Sequence, residues 1–349
     1  MNTIGERYRF TSFGESHGPA IGGVIDGCPA GIRLDMAAIE RDLLRRRLGV
    51  AELRNQGTTE VAGVSARAAA EPDEIEWLSG LLDGVTLGTP IAFIIRNRAA
   101  RPEDYEALKE IFRPGHADFT YQAKYGIRDW RGGGRASARE TASRVVAGSV
   151  AKQLLAEHGI TVKAELTQVG LKDIRNHGTR SDRTQQSEVK NTEMRKEIER
   201  AQAEGDSVGG IVSCVISGVP AGWGEPVFDK VQARLAYAML SINACKGFEY
   251  GVGFASAEHR GSEVNHLTGG IAGGITDGSD ITFRVVFKPT PSITKPQQVN
   301  GQTVQLKGRF DACVAVRAVP VVEAMAAMVI CDYMVLNSRA RTIGRAVQG

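Results

Sequence analysis

The stretch Arg131-Gly132-Gly133-Gly134-Arg135-Ala136-Ser137-Ala138-Arg139-Glu140 joins a glycine triplet to the start of a helix. Consecutive glycines let the backbone turn tightly and bring its N–H groups close to a ligand. Ser137 and Glu140 have the spacing of a capping box, with Ser137 as N-cap and Glu140 at the third helical position. Ala142, Val145, Val146, Val150, Leu154 and Leu155 then recur with a 3.6-residue period, which predicts a helix that stops near His158 with Gly159 beyond its end. Arg131, Arg135 and Arg139 therefore surround a helix N-terminus. Free N–H groups, the helix dipole and guanidinium forks there favour an anion. A glycine loop alone is equally a flexible turn with solvated arginines, so the rest of the chain has to decide.

Short β-like runs at residues 8–13 and 20–25 flank Gly14-Glu15-Ser16-His17-Gly18. Asp35 is placed to cap a helix through Arg47, whose last turn is Arg45, Arg46 and Arg47. Cations suit a helix C-terminus, yet three in a row exceed what capping needs, so an anion site there stays open. Residues 49–72 read as a polar mobile connection, 74–82 as a helix, and 90–95 as an apolar strand. Beyond the central helix, 160–170 reads as a strand and 172–192 as a loop. A charged, solvent-facing helix follows over 193–203, then a strand over 211–216, a helix over 227–240 and a loop with strand character over 241–253. A glycine loop at 269–274 precedes a strand over 281–287, which Lys288-Pro289-Thr290-Pro291-Ser292 breaks. Pro320 suits the first turn of a buried C-terminal helix.

Residues 22–31 and 209–222 share a glycine-pair, β-run, Pro-Ala-Gly pattern, and each precedes a helix. This suggests two related β/α halves in one domain over 1–349, with a two-domain join near residue 205 still open. Short strands with interspersed helices point to a layered α+β fold. No strand–GxGxxG–helix fingerprint and no GxxxxGK[ST] loop is present, so Rossmann and P-loop readings lack their evidence.

The chain has 349 residues, 42% hydrophobic content and a net charge of only +3, so no polynucleotide partner is demanded. Five cysteines without CxxC spacing argue against a disulfide frame or a zinc site. The N-terminus has no signal-length apolar core, and the apolar stretch 319–336 is interrupted by Glu323 and Asp332. A cytoplasmic protein with no membrane span and no metal is expected. Among six histidines, His17 and His116 sit on Gly/Pro-punctuated turns, where an imidazole can reach a cleft and titrate near neutrality. A surface turn histidine is the competing account of each. Asp311, in Gly308-Arg309-Phe310-Asp311, is either half of a surface pair with Arg309 or, if buried, a proton acceptor.

In combination these segments resemble the chorismate synthase family. Residues 14–18 through Asp26-Gly27-Cys28-Pro29 match its first signature, and Arg113-Pro114-Gly115-His116-Ala117-Asp118 with Lys124-Tyr125-Gly126-Ile127-Arg128-Asp129 a second block. Residues 131–141 match its central one. Gly205-Asp206-Ser207, residues 224–229, Ser241-Ile242-Asn243-Ala244, Lys246-Gly247, Phe287-Lys288-Pro289-Thr290 and Arg309-Phe310-Asp311 continue the match in order. The resemblance implies a β–α–β sandwich, a homotetramer, and a lyase of the shikimate pathway and aromatic amino-acid biosynthesis. Such an enzyme converts 5-enolpyruvylshikimate 3-phosphate to chorismate and phosphate by a 1,4-anti elimination that needs reduced FMN without net redox change.

Carried over residue by residue, the resemblance makes His17 the general acid for the departing phosphate and places His116 beside the flavin to stabilise its reduced monoanion. Asp311 would relay a proton from flavin N5. Flavin contacts fall on Arg135, Ala136, Ser137, Asn243, Ala244, Gly273, Lys288, Pro289, Thr290, Pro291, Ser292 and Arg309. Arg46, with Arg54 as its companion, is assigned to substrate or to NADP. Three positions depart from the family pattern: the segment 48–54, Ala136 where a serine is usual, and Ala312 where a proline is usual. With no reductase segment visible, an external flavin reductant is expected. The alternative is a non-catalytic protein that binds polyphosphate or RNA through its arginine clusters. Few aromatics accompany those arginines, which disfavours base stacking.

Overall fold

The computed structural model describes residues 1–49, 53, 62–173, 183–299, 302–306, 308 and 310–344. The first half contains β1 (Thr3–Ile4), β2 (Arg9–Phe13), β3 (Ala20–Asp26), α1 (Met36–Leu48), α2 (Ala66–Ala70), β4 (Ile75–Trp77), β5 (Leu81–Leu82), β6 (Val85–Thr86) and β7 (Ile91–Arg96), then α3 (Asp118–Tyr125) and α4 (Thr141–Ala156). The second contains β8 (Thr161–Val169), β9 (Lys172–Asp173), α5 (Arg183–Ala203), β10 (Gly210–Ser217), α6 (Val231–Leu240), β11 (Cys245–Tyr250), α7 (Gly261–Val264), β12 (Ile271–Ala272), β13 (Ile275–Thr276), β14 (Ile281–Phe287), β15 (Gln297–Val299), β16 (Gln302–Val304) and α8 (Ala315–Gly344).

Two antiparallel five-stranded sheets, β1-β2-β3-β7-β4 and β11-β14-β10-β8-β9, sandwich the helices α1, α4 and α8. The order β2-β3-β7-β4 in one sheet repeats as β8-β10-β14-β11 in the other. α1 matches α6, the β5–β6 hairpin matches β12–β13, and α4 matches α8. The layered α+β expectation and its two related halves therefore hold. Period-2 patterning explains why each sheet has one wet and one dry face. Ile91, Phe93 and Ile95 of β7 and Ile281, Phe283, Val285 and Phe287 of β14 are buried, while the alternate residues are more exposed. α8 is long and apolar enough to cross a membrane over residues 315–337, but most of that length is buried between the sheets.

α4 and α8 cross at Gly148. A Cβ there would stand 2.2 Å from both Cα and Cβ of Ala324, so the two backbones meet with no room for a methyl group. Around this contact runs a buried ion cluster. Glu323 of α8 accepts from Arg45 of α1 (2.7 and 2.9 Å), from Lys152 of α4 (3.0 Å) and from the Ala164 amide of β8 (3.1 Å), and Asp42 takes Lys152, Arg45 and Ser149. Burial pushes both carboxyls up, but the neighbouring cations outweigh it and hold both below the usual carboxylate range. At the other end of α8, the Asp332 carboxylate accepts from the amides of Glu6 (2.9 Å), Arg7 (2.7 Å) and Tyr8 (2.9 Å).

Several expectations are corrected. Residues 74–82 are not helical. Ile75-Glu76-Trp77 alternates and extends the sheet beside β7, and Gly80 at φ 82° turns the chain toward β5. Residues 172–192 are not all loop, because β9 and the first ten residues of α5 lie within them. Lys, Arg, Glu and Gln favour helix without an apolar stripe, so periodicity alone missed this one. Its 193–203 stretch is also not wholly solvated, since Met194 and Ile198 are buried. The connection 49–72 contains α2, and the helix at 227–240 begins only at Val231. The capping box does not form. Ser137 accepts from the Arg139 amide (3.3 Å) in a 3₁₀ turn, α4 starts at Thr141, and the Glu140 carboxylate faces Ser12 and Arg144. Pro320 sits in the second turn of α8, which begins at Ala315.

Gly148→Ala should cost about 3 kcal/mol through overpacking, read as a lower denaturant midpoint. Because Asp42 and Glu323 have depressed folded-state pKa values, their stabilisation is present above the ordinary carboxylate range of about 4 and disappears as pH falls through the folded values. Glu323→Gln should therefore lose about 2–3 kcal/mol at pH 7, with the gap to wild type closing in acid. A gap unchanged between pH 7 and pH 3 would contradict this account.

Candidate active site

The N-termini of the equivalent helices α4 and α8 open onto one cavity of about 620 Å³ between the two halves. Residues 135–140 before α4, and Phe310, Asp311 and Val314 before α8, form much of its wall. Both helix dipoles thus present their positive ends to it. Among the described residues, Arg46, Arg113, Arg135, Arg139, Arg144, Lys288 and Arg317 line it against Glu71, Glu140 and Asp311, a surplus of positive charge. Tyr105, Tyr121, Tyr237, Phe310, Pro291 and Met325 supply apolar wall. Such a space suits an aromatic ring system that carries anionic groups.

The glycine triplet organises two histidines. Gly132, Gly133 and Gly134 have φ of 62°, 88° and 53°, where only glycine is unstrained. A Cβ on Gly132 would lie 2.1 Å from His17 Cε1, and one on Gly133 would lie 2.7 Å from His116 Cε1. The two imidazoles therefore pack on successive residues of one loop. His17 is buried, with Nδ1 3.0 Å from Ser16 Oγ and its ring edge-on to Tyr105 at 4.9 Å. It borders the cavity through Tyr105 and Gly132 rather than lining it directly. His116 lines the cavity itself.

His116 Nδ1 is 2.9 Å from Asp118 Oδ1, and Asp118 also accepts from Arg113 Nε (2.8 Å), Nη2 (3.0 Å) and backbone N (3.1 Å). Burial pushes the Asp118 carboxyl up, but His116 and Arg113 more than compensate and hold it far below the carboxylate range. It is thus an acceptor that fixes a proton on His116 Nδ1 and leaves Nε2 toward the glycine loop. Burial pulls the His116 pKa down, Asp118 opposes this, and Arg113 adds to it, for a net lowering.

Asp311 Oδ1 accepts from the Ser65 amide (2.8 Å) and Oδ2 from Arg317 Nη1 (2.6 Å). It is half-buried against Arg317, a residue that sequence spacing did not single out. The Ala312 substitution does not leave its turn untethered: Ala312 N donates to Gly63 O (2.9 Å), and Ala312 O accepts from Val208 N (2.8 Å). Arg309 and Arg54 lie outside the described residues.

The arginine run of α1 splays to three internal destinations. Arg45 enters the ion cluster. Arg46 donates to Ala138 O (2.7 Å), Thr141 Oγ1 (3.2 Å) and Asp73, and Arg47 donates to Glu71 O (2.9 Å). Burial and then Arg317 pull the Arg46 pKa down to about 9, which leaves it charged at neutrality. The loop arginines divide likewise. Arg131 pairs with Asp129, Arg135 holds Ser12 and Gly14 O, and Arg139 pairs with Asp73.

Of the expected cofactor residues, Arg135, Ala136, Ser137, Asn243, Ala244, Lys288, Thr290, Pro291 and Ser292 line the cavity. Pro289 is not part of the lining, and Gly273 lies exposed on the β12–β13 hairpin, away from it. Asn243 Nδ2 donates to Ala136 O (2.9 Å), which joins the halves, while Asn243 Oδ1 and Thr290 Oγ1 are buried with no hydrogen-bond partner. Ala244 adopts φ 67°, a left-handed conformation costly for a residue with a Cβ and concentrated at ligand sites. Orphaned polar atoms, local strain and surplus cations on one wall fit a bound flavin phosphate ester. Among the described residues there is no cluster of His, Cys, Asp or Glu able to hold a metal.

A chorismate synthase family model matches residues 8–335. The chain is 50% identical to chorismate synthase of Porphyromonas gingivalis, over 98% of this chain and 97% of that protein, and 49% identical to that of Phocaeicola vulgatus, over 97% and 98%. A crystal structure of a chorismate synthase superposes with TM-score 0.72 at 29% identity, over 96% of this chain and 93% of the other.

Asp118→Asn should lower the His116 pKa further, because Asp118 is the group that raises it. Histidine-selective ¹⁵N NMR titration measures this, and an upward shift would show that Asp118 does not set the protonation state of His116.

Proposed function

The chain belongs to the chorismate synthase family, and on that footing we propose that it converts 5-enolpyruvylshikimate 3-phosphate to chorismate and phosphate by 1,4-anti elimination with reduced FMN. One observation carries this reading furthest. Two helix N-termini and seven cationic side chains converge on a cavity that His116 lines and His17 borders, with carboxylates and unsatisfied polar atoms on its wall. A substrate with one phosphate and two carboxylates needs this surplus of cations.

Reduced FMN supplies the electron density that lowers the barrier to C–O cleavage. Ser137, Asn243, Ala244, Lys288, Thr290 and Ser292 would hold it, with Thr290 Oγ1 and Asn243 Oδ1 as the atoms that most need a partner. His17 donates a proton to the departing phosphate oxygen. The Gly132 backbone and the Tyr105 edge exclude water from it and fix its ring. His116, with its proton fixed on Nδ1, lines the cavity with Nε2 beside the Gly133 backbone. Burial and Arg113 lower its pKa against the pull of Asp118, and a bound anion would favour the imidazolium form. Asp311 is the carboxylate acceptor for a proton leaving the ring system, and Arg317 and the Ser65 amide hold it in one orientation. Arg46 braces the α4 N-terminus, and its burial favours a role toward substrate anions over an exposed NADP site. The protein is proposed to be a cytoplasmic homotetramer supplied by an external flavin reductant.

Anaerobic incubation with dithionite-reduced FMN and substrate should form chorismate, followed by its absorbance, whereas oxidised FMN alone should not. Absence of chorismate under both conditions removes the reading. An RNA-binding protein would instead show affinity that falls steeply with salt and indifference to FMN. His17→Ala should lower kcat by roughly 10³-fold with FMN still bound, and loss of FMN binding would move His17 to the cofactor side.

A further inference from the structure

Asn97 is the first residue beyond β7, and its backbone N–H donates to Pro19 O (3.1 Å), one step past the β3–β7 ladder. Its side chain reaches back under the tight turn that carries His17. Nδ2 donates to Glu15 O (2.9 Å) and to Gly18 O (2.8 Å), the two carbonyls that bracket Ser16 and His17. The same turn is closed by Gly18 N to Glu15 O (3.1 Å) and is touched by the glycine triplet through Ser16 N to Gly134 O (3.4 Å). Asn97 Oδ1 accepts from Arg139 Nε (2.9 Å). Two carbonyl acceptors on one side and an obligatory guanidinium donor on the other fix the amide in one orientation.

Arg139 is itself buried, ion-paired with Asp73, close to Glu71 (3.9 Å), and exposed to the cavity at the α4 N-terminus. A single amide thus joins a cavity arginine to the peptide units on both sides of the proposed acid. Asparagine is the side chain that fits. Aspartate could still accept from Arg139 but would set oxygen against two carbonyls, and alanine would release both ends.

We propose that Asn97 is a positioning residue for His17, which holds the imidazole turn in register with Arg139 so that the proton is aimed at the phosphate leaving group. This rests on the lyase reading above, in which His17 is the general acid. A displacement of about 1 Å at a reacting group can cost roughly 10²-fold in rate, and Asn97 holds both carbonyls that flank Ser16 and His17.

The test is a double-mutant cycle with a parallel NMR measurement. Asn97→Ala and the isosteric Asn97→Asp should each lower kcat by roughly 10²-fold, with substrate KM and FMN affinity changed less than about 3-fold. In a His17→Ala background the same substitutions should change the residual kcat by less than about 2-fold, since there is no longer an acid to aim. An equal kcat loss in both backgrounds makes Asn97 merely structural and overturns the proposal, as does an unchanged kcat in the wild-type background. If Asn97→Ala fails to fold, Asn97→Asp carries the same expectations. If wild-type protein forms no chorismate, the lyase reading has failed, and the positioning claim is still decided by NMR. The His17 ring signals should move in Asn97→Asp while those of His259, on the exposed β11–β12 connection, stay in place. Unmoved His17 signals would overturn it.

Discussion

Everything in the sandwich is spaced by the contact of Gly148 with Ala324. Two helices that touch backbone to backbone leave the middle layer thin enough for both sheets to close on it. The layer is apolar along most of its length, with Val145, Val146, Val150, Val316, Val319, Val322 and Ile330 all buried. At its centre a polar interruption, the Glu323 cluster, is satisfied from both α1 and α4. That arrangement fixes the rotation of α8 as well as its distance, because a carboxylate that must meet Arg45, Lys152 and a β8 amide at once has few orientations available.

With the central pair locked, its two N-termini are locked too, and the cavity inherits the same pseudo-symmetry. Each helix is preceded by a turn that carries chemistry: the glycine triplet with Arg135 and Ser137 before α4, and Asp311 before α8. The two halves supply different groups, however. The first provides His116 and most arginines, and the second provides Asn243, Lys288, Thr290 and Asp311. Most of the cations are already engaged by protein acceptors. They therefore act as a preorganised positive wall, which needs little rearrangement when an anion arrives.

Motif-bearing turns were legible in the sequence because their chemistry is local. Glycines at positive φ, histidines beside them and a helix start can all be read within ten residues. The strand alternation in β7 and β14 was equally plain. What failed was non-local. Ile75-Glu76-Trp77 becomes a strand because β7 offers it an edge, and Ser137 caps a 3₁₀ turn without reciprocation because Glu140 finds Ser12 and Arg144 instead. The roles of Arg317, Asp73 and Asn97 depend on partners between 6 and 271 residues away, and no spacing rule reaches them. Gly273 matched the family pattern in sequence yet falls outside the cavity that this chain encloses.

The carboxylate of Asp332 gathers the amides of Glu6, Arg7 and Tyr8, so the last helix of the fold is fastened to the first turns of the chain. A ribosome delivers these partners at opposite ends of synthesis. The first sheet and the helix α4 that packs on its β2 and β3 can form early, but α4 packs in turn on α8, which is made after both sheets. Until then the nascent chain exposes the apolar face of α4 that α8 will cover, a physical cost of this topology.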